Sequence, residues 1–244
     1  MSTSPSIGLV AFAVDRHGER SEEIDAAPPV RGASVVKPLL VWVGAGVEPF
    51  ASDRERWEAI GRPAVTVSDN EATAVLWSTA GGEHLLTELT DRAGVAWSPA
   101  GDGEHPALRL MVTAGELARA YLRLASDENP SAVLVRQWMR QVPNGQTFDL
   151  CRIAAETIGC PEGSVGVKCG WFGLERAHAV VLAQLGERTL GAAVTTTHRP
   201  DATNRAKAQA LSGNEPGLVL THNVLAGDAI RGASRRALKR ASEL

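Results

Sequence analysis

Hydrophobic and polar residues follow three successive patterns along this chain, and each pattern predicts a different kind of structure. The first is an apolar run over Ile7–Val14, which is typical of a buried β-strand. The turn residues Asp15–Gly18 follow it, and a short run through Glu22–Ile24 can return beside it. The first residues of the chain therefore predict a β-hairpin.

The middle of the chain has the periodicity and the boundary signals of helices. Thr113 and Glu116 have the spacing of a capping box, and Tyr121 lies on the apolar face of the helix that would follow. Gly94–Leu110 contains Pro, Gly and acidic residues without a clear period, so it predicts a loop. The other predicted helices are one that begins near Ser34, a short one that opens with a capping box at Ser52–Glu55 and closes at Gly61–Pro63, Glu71–Thr79, Glu83–Arg92, Ala132–Gln141 and Asp149–Thr157.

Strand-like runs return at Val165. Three of them, Val165–Lys168, Ala177–Gln184 and Leu190–Thr197, are separated by short turns, which favours an antiparallel meander. Asn204–Leu211 and Ile230–Leu244 have helical composition, whereas Val219–Leu225 is an ambiguous apolar run.

The order of these elements predicts an α+β fold in which both ends of the chain contribute to one sheet. We expect an antiparallel sheet flanked by N- and C-terminal helices, with an inserted all-helical lobe. The expected division is residues 1–30 and 160–244 for the sheet-and-helix lobe and residues 31–159 for the all-helical lobe.

Composition and charge narrow the classes of function. The chain has 244 residues, a formal net charge of −3 and 22% charged residues, and no basic face argues for nucleic acid. Its first residues lack the charged and apolar segments of a secretory signal, and no stretch approaches a membrane span. We therefore expect a cytoplasmic protein that binds neither nucleic acid nor membrane, and its oligomeric state stays open.

Cysteine and histidine usage suggests no cofactor. Cys151, Cys160 and Cys169 are odd in number and form no Cys-x-x-Cys pair, so they indicate neither a disulfide framework nor a zinc site. The six histidines are scattered without ligand spacing. We expect no metal and no cofactor.

Candidate chemistry begins at Ser34 and Lys37. The two residues are spaced Ser-x-x-Lys at the start of a predicted helix, so the hydroxyl and the ammonium lie on one face. A serine hydroxyl is a weak nucleophile at neutral pH and needs a base within hydrogen-bond reach. A lysine can be that base if burial and a neighbouring cation lower its pKa. A helix start also directs backbone N–H groups at developing negative charge.

Two further motifs follow in chain order. Ser68-Asp69-Asn70 precedes a predicted helix, and Lys168-Cys169-Gly170 ends a strand-like run. Ser-x-x-Lys, Ser-Asp-Asn and Lys-x-Gly in this order resemble the motif set of class A β-lactamases and penicillin-binding proteins, the superfamily of β-lactamase-like serine acyl-transfer enzymes. The resemblance covers roughly Ser6 to Thr197, and it implies an active site between the sheet and the helical lobe.

The resemblance implies a role for each motif residue. Ser34 would attack a carbonyl carbon and become acylated, and Lys37 would take its proton. Ser68 would relay that proton to the leaving nitrogen, and Asn70 would bind the substrate amide. Lys168 would keep the local potential positive and attract a substrate carboxylate.

The residues around Lys-x-Gly are expected to bind substrate. In the family, the backbone N–H groups of the nucleophile and of the residue after Lys-x-Gly hold the oxyanion, which here are those of Ser34 and Trp171. Cys169 and Gly170 complete this edge, and the Trp171 side chain is expected to line the cleft. Asp69 is expected only to brace its turn.

Two departures from the family pattern affect the expected activity. The predicted loop has no Glu-x-x-Leu-Asn, the pattern that holds the water-activating glutamate of class A enzymes, so Glu104 is the candidate deacylation base, with Asp102 the other carboxylate there. Cys169 stands where the family has threonine or serine, and a thiol is a poorer hydrogen-bond donor. It can be a reactive thiol beside Lys168 or a buried structural one.

These features predict a serine hydrolase or acyltransferase that acts on an amide, lactam or ester of a small acyl compound. The departures favour a cytoplasmic amidase, esterase or transacylase with weak β-lactamase activity. One alternative is a non-catalytic descendant that binds a ligand or partner. Further alternatives are a genuine class A β-lactamase and a D-Ala-D-Ala carboxypeptidase.

Overall fold

A five-stranded antiparallel sheet forms the centre of the molecule. The computed structural model describes residues 6–101, 105–172, 175–198, 206 and 226–244. The sheet has the order β2-β1-β7-β6-β5. Its strands are β1 (Ser6–Asp15), β2 (Gly18–Asp25), β5 (Val165–Phe172), β6 (Arg176–Leu185) and β7 (Arg188–Thr197). The predicted hairpin and meander are confirmed, and β1 pairs with β7, which joins the two ends of the chain.

Helices fill the chain between β2 and β5. The short strands β3 (Val30–Arg31) and β4 (Met111–Val112) pair with each other beside them. The α-helices of this block are α1 (Lys37–Gly44), α2 (Arg54–Thr66), α3 (Asn70–Ala80), α4 (Gly82–Ala93), α5 (Ala114–Ser126), α6 (Pro130–Met139) and α7 (Leu150–Ile158). The last described helix is α8 (Gly227–Glu243).

Local sequence signals explain several of these boundaries. Both hydrogen bonds of the predicted capping box are present at the start of α5, between Thr113 and Glu116. Gly159 adopts a left-handed conformation and ends α7. The predicted strand Val165–Lys168 extends to Phe172, because pairing with β6 continues through the Lys-x-Gly motif.

Two apolar clusters lie on opposite faces of the sheet. The face that carries Val10, Phe12 and Val180 packs against the helical block, including α1 and α5. The opposite face carries Leu9 and Val181 and packs against α7 and α8. The sheet is therefore covered on both sides. Because successive side chains of a strand point to opposite faces, each strand residue faces one or the other of these two clusters.

The predicted α+β fold is confirmed. Among the described residues, α7 and the C-terminal helix α8 pack beside each other on one face of the sheet, and the helical block covers the other. The division at residues 30 and 160 stays a prediction.

Two predictions for the C-terminal part fall outside the description. Asn204–Leu211, apart from residue 206, and Val219–Leu225 lie outside the described residues. Within the described part, no helix is long and apolar enough to cross a membrane.

Candidate active site

Ser34 lies in a 3₁₀ turn, Ala33–Val36, directly before α1. The predicted α-helix around Ser34 is therefore corrected to a tighter turn, in which positions three apart are still on one face. Every residue from Gly32 to Gly44 is buried except Ser34, which is partly exposed. Ala33 precedes it with φ of 49°, a left-handed conformation that is unusual for a residue with a side chain. The chain thus presents one hydroxyl from an otherwise buried segment.

Lys37 connects this segment to the Ser-Asp-Asn turn. Its Nζ donates to Asn70 Oδ1 at 2.7 Å and to the Asp69 carbonyl at 3.1 Å, and it lies 3.4 Å from Ser68 Oγ. It also donates to the Ser68 carbonyl. An ammonium has three donors, and these oxygens engage them. An ammonium has no lone pair to accept a further proton, so Lys37 must be neutral when it takes the proton of Ser34.

Asp69 braces the Ser-Asp-Asn turn, as the sequence predicted. Its carboxylate accepts the Ala72 N–H at 3.0 Å and caps the start of α3. Its carbonyl accepts the Thr73 hydroxyl at 2.7 Å. Ser68 has φ of 61°, so the chain turns sharply immediately before the capped helix. The capped turn holds Ser68 and Asn70 against Lys37.

The Lys-x-Gly strand passes directly beside Ser34. A Cβ built on Gly170 would lie 2.6 Å from the backbone nitrogen of Ser34 and 2.8 Å from that of Val35. Lys168 precedes Gly170 by two residues on the same face of β5, and its side chain is 1% exposed. The structure thus brings Ser34 and Gly170 together from segments more than 130 positions apart in the chain.

Burial determines the charge state available to Lys168. Desolvation lowers the pKa of this lysine to about 8, and the neighbouring Cys169 acts in the opposite direction. The lysine that the sequence assigned to an electrostatic role is therefore partly neutral at mildly alkaline pH.

The side chains of Cys169 and Trp171 point to the opposite face of the sheet. The Cys169 thiol is 3% exposed within the cluster beneath α7 and α8, and burial raises its pKa well above the usual range. This placement favours the structural thiol over the reactive one. Trp171 packs against the same cluster, with its ring edge-on to Phe148 at 6.4 Å, so the expectation that its side chain lines the cleft is wrong. The use of the Trp171 backbone N–H stays a prediction.

The loop that was expected to hold a deacylation base is described only in part. Asp102 and Glu104 lie outside the described residues, so the assignment of Glu104 stays a prediction. Pro99, inside this loop, forms an isolated antiparallel bridge with Leu110 at its end. The Leu110 carbonyl then accepts the Gly32 N–H at 2.8 Å, which anchors the loop to the segment that leads to Ser34.

Two residues in contact with the nucleophile segment were not recognised from the sequence. The His178 ring lies 2.9 Å from the Arg31 carbonyl through Nε2, and the Tyr121 hydroxyl donates to the Val35 carbonyl at 2.6 Å. The sequence placed His178 among unassigned histidines and Tyr121 on a helix face. The only available signal was a polar group inside an apolar run, which does not reveal a partner so distant in the chain.

Comparison with known proteins gives a consistent fold. Neither protein-family models nor curated proteins match the chain. A β-lactamase from Sphaerobacter thermophilus has 18% identity and a TM-score of 0.67, with 99% of this chain and 94% of that chain covered. A class A β-lactamase from Mycobacterium abscessus has 16% identity and a TM-score of 0.63, with 98% and 94% covered.

A more distant likeness extends the comparison. The carbapenemase VCC-1 from Vibrio cholerae has 15% identity and a TM-score of 0.58, with 90% of this chain and 94% of that chain covered. Identities at this level establish architecture and leave activity open. The chain therefore has the fold of the class A β-lactamases.

Proposed function

We propose that the protein is a serine hydrolase or acyltransferase that acts on an amide, lactam or ester through an acyl-Ser34 intermediate. The observation that carries the proposal is the convergence of the other two motifs on the segment from Ser34 to Lys37. Lys37 donates hydrogen bonds to Ser68, Asp69 and Asn70, and the backbone of Gly170 lies against that of Ser34. The fold of the similar structures is consistent with this chemistry.

In the proposed reaction, Ser34 Oγ attacks the carbonyl carbon while its proton passes to neutral Lys37. The tetrahedral oxyanion would accept hydrogen bonds from the backbone N–H groups of Ser34 and Trp171. Collapse of this intermediate breaks the bond to the leaving group, to which Ser68 delivers the proton. Water then releases the acyl group as an acid, or an amine or alcohol takes it in a transfer reaction.

The features of the site favour an amidase, esterase or transacylase with weak β-lactamase activity over an efficient β-lactamase. The Cys169 thiol is buried on the far face of the sheet, where it cannot contribute the hydrogen bond of the usual threonine or serine. The loop sequence also lacks the pattern that holds a water-activating glutamate. Both features weaken the recognition and hydrolysis of a β-lactam. The cytoplasmic location stays a prediction, which cell fractionation would test.

A non-catalytic binding protein of the same fold is the competing function. The burial of two lysines argues against it, because Lys37 and Lys168 are 0% and 1% exposed and a charged group is costly to remove from water. A binding pocket does not require that cost, whereas a lysine that takes a proton from a serine needs burial or a neighbouring cation to lower its pKa.

The experiment is intact mass measurement after incubation with a panel of β-lactams, activated esters and a fluorophosphonate probe. We expect a covalent adduct on the wild type that is absent in Ser34→Ala and retained in Ser78→Ala, a change of an exposed serine on α3. Equal labelling of Ser34→Ala would overturn the proposal. A folded wild type that no member of the panel labels would favour the binding protein. Release in the presence of an amine acceptor then separates transfer from hydrolysis.

A further inference from the structure

One row of residues crosses the sheet and ends at the nucleophile. Gly8, Thr195, His178 and Gly170 are successive cross-strand partners on β1, β7, β6 and β5, so their side-chain positions lie on one face. Gly170 lies against the backbone of Ser34. His178 is therefore directly behind the residue that contacts the nucleophile, and it is 0% exposed.

The hydrogen bonds of His178 define its tautomer. The Thr196 N–H donates to Nδ1 at 3.3 Å, so Nδ1 is an acceptor and carries no proton. The single ring proton is then on Nε2, which donates to the Arg31 carbonyl at 2.9 Å. Neutral His178 thus links β7 to the segment that enters the Ser34 turn, three residues before the nucleophile.

A second buried donor holds the other side of the same turn. The Tyr121 hydroxyl on α5 donates to the Val35 carbonyl at 2.6 Å, and the tyrosine is fully buried. Val35 directly follows Ser34. The carbonyls that flank the nucleophile are therefore held from two directions, one by the sheet and one by the helical block.

Such support is needed because the turn has an unusual backbone. Ala33 has φ of 49°, and a non-glycine residue keeps a left-handed conformation only where its surroundings determine it. The direction of the Ser34 hydroxyl depends on this backbone.

We propose that His178 and Tyr121 are positioning residues that hold the Ser34 turn in the geometry required for acylation. The inference rests on the proposed function, since it presupposes that Ser34 is the nucleophile. Neither residue touches the reacting atoms, and both act through backbone carbonyls. His178 performs this role only in its neutral form, because a proton on Nδ1 would oppose the Thr196 N–H.

The groups around His178 favour that neutral form. The pKa of His178 is lowered to about 4, chiefly by burial, with Arg176 on the same strand and His198 after β7 acting in the same direction, while its hydrogen bonds to the backbone of Arg31 and Ala177 act in the opposite direction. The neighbouring strand β5 contributes Lys168, and β3 contributes Arg31; both are cationic residue types. Lys168, Arg176 and Arg31 are thus all cationic types, whereas Cys169 on β5 faces the other side of the sheet, and the turn should be intact from neutral pH down to about pH 5.

The test measures the acylation rate of Ser34 by a fluorophosphonate probe at varied probe concentration between pH 4 and pH 8. The variants are His178→Leu, His178→Gln and Tyr121→Phe. We expect His178→Leu and Tyr121→Phe to lower the limiting rate by about 10- to 100-fold, with little change in the half-saturating concentration, as misplacement of a reacting group does. Gln offers an amide donor without a titrating ring, so His178→Gln should restore most of the rate and remove the loss of rate near pH 4.

Thr195→Val is the matched control. Thr195 is the neighbour of His178 in the same row, and its buried hydroxyl has no hydrogen-bond partner in the described part of the chain. The isosteric change should leave the acylation rate unchanged. A general effect of disturbing this face would instead slow Thr195→Val as much as His178→Leu, and that result would overturn the proposal.

The outcomes separate this inference from the proposed function. Labelling of wild type at Ser34 with unchanged limiting rates in folded His178→Leu and Tyr121→Phe would overturn the positioning role alone. Undiminished labelling of Ser34→Ala would overturn the proposed function and with it the premise of the inference. If His178→Leu fails to fold, Tyr121→Phe and the pH profile of His178→Gln decide the question, because Lys37 titrates alike in both proteins and a relative loss of rate between pH 5 and pH 4 that is identical in wild type and His178→Gln would contradict the proposal.

Discussion

Gly170 lies against Ser34 so closely that no side chain fits between them. A Cβ on Gly170 would be 2.6 Å from the Ser34 backbone nitrogen, a separation that real Cβ atoms do not adopt. The obstructing atoms belong to the backbone, so they cannot rotate away as a flexible side chain can. The glycine of Lys-x-Gly therefore lets the sheet and the nucleophile turn approach each other.

We expect Gly170→Ala to disrupt acylation. The added methyl group must displace the Ser34 turn or strand β5, which should lower the labelling rate by about 100-fold and the free energy of unfolding by about 1–3 kcal/mol. Probe kinetics and urea unfolding measure the two effects. Gly163→Ala is the control, because a Cβ at Gly163 meets nothing within 4 Å. A Gly170→Ala protein that is labelled as fast as the wild type would contradict the close approach.

Elements with strong local signals could be predicted from the sequence. The capping box at Thr113 and Glu116 and the left-handed Gly159 each depend on one or two residue types at fixed spacing, and both are present. Strand β5 exceeds its prediction by four residues, because pairing with β6 outweighs the weak strand preference around Gly170.

The partners of a residue across the sheet were harder to predict than the face on which it lies. Strand alternation alone separates Lys168 from Cys169, so the sequence already contained the signal that the thiol faces away from the site. The bond from His178 to the Arg31 carbonyl depends on the registers of three strands and on the path of β3. No local pattern specifies such a contact.

We expect Lys37→Ala to lower the acylation rate by at least about 100-fold, the usual scale for loss of a general base. The change also removes the donor that joins α1 to the carbonyls of Ser68 and Asp69, so Lys37→Met, which retains the apolar stem, is measured beside it. Both proteins should remain folded by circular dichroism. Lys239→Met, a change of an exposed lysine on α8, controls for loss of charge.

The size of the Lys37 effect identifies the base. A loss of only a few-fold in folded Lys37→Ala would mean that another group takes the proton from Ser34. Lys168 would then be the first candidate, because burial lowers its pKa to about 8. A Lys37→Ala and Lys168→Met double variant would test that assignment.

Lys168 should make the stability of the protein depend on pH in the alkaline range. Its pKa is about 8 in the folded protein against 10.5 for the ordinary side chain, so the unfolded chain binds more protons between these values. The contribution of Lys168 to the free energy of unfolding therefore rises as the pH increases from 8 to 10. The difference between the two pKa values corresponds to a change of roughly 3 kcal/mol in the free energy of unfolding, at about 1.36 kcal/mol for each pKa unit.

Comparison with Lys168→Met isolates this contribution from the other titrating groups. At pH 7 the variant should be more stable than the wild type, because it no longer buries an ammonium, and it should lose acylation activity. The stability difference should shrink between pH 8 and pH 10. Urea unfolding of both proteins at pH 7, 8, 9 and 10 gives the curve, and a constant difference would show that Lys168 has an ordinary pKa in the folded state.

The last prediction concerns the fate of an acyl-enzyme formed with benzylpenicillin. The segment Gly94–Leu110 lacks the pattern that positions a deacylating water in class A enzymes, and the Cys169 thiol is buried away from the site. We therefore expect slow hydrolysis, with an adduct at Ser34 that persists for minutes or longer, whereas a median enzyme turns over about ten times each second. Stopped-flow absorbance followed by intact mass at successive times measures both steps. Rapid turnover without an accumulating adduct would show that the loop holds a working base. In that case Glu104→Gln should trap the adduct, with Glu187→Gln, a change of a glutamate between β6 and β7, as its control, and the protein would then be a β-lactamase in activity as well as in fold.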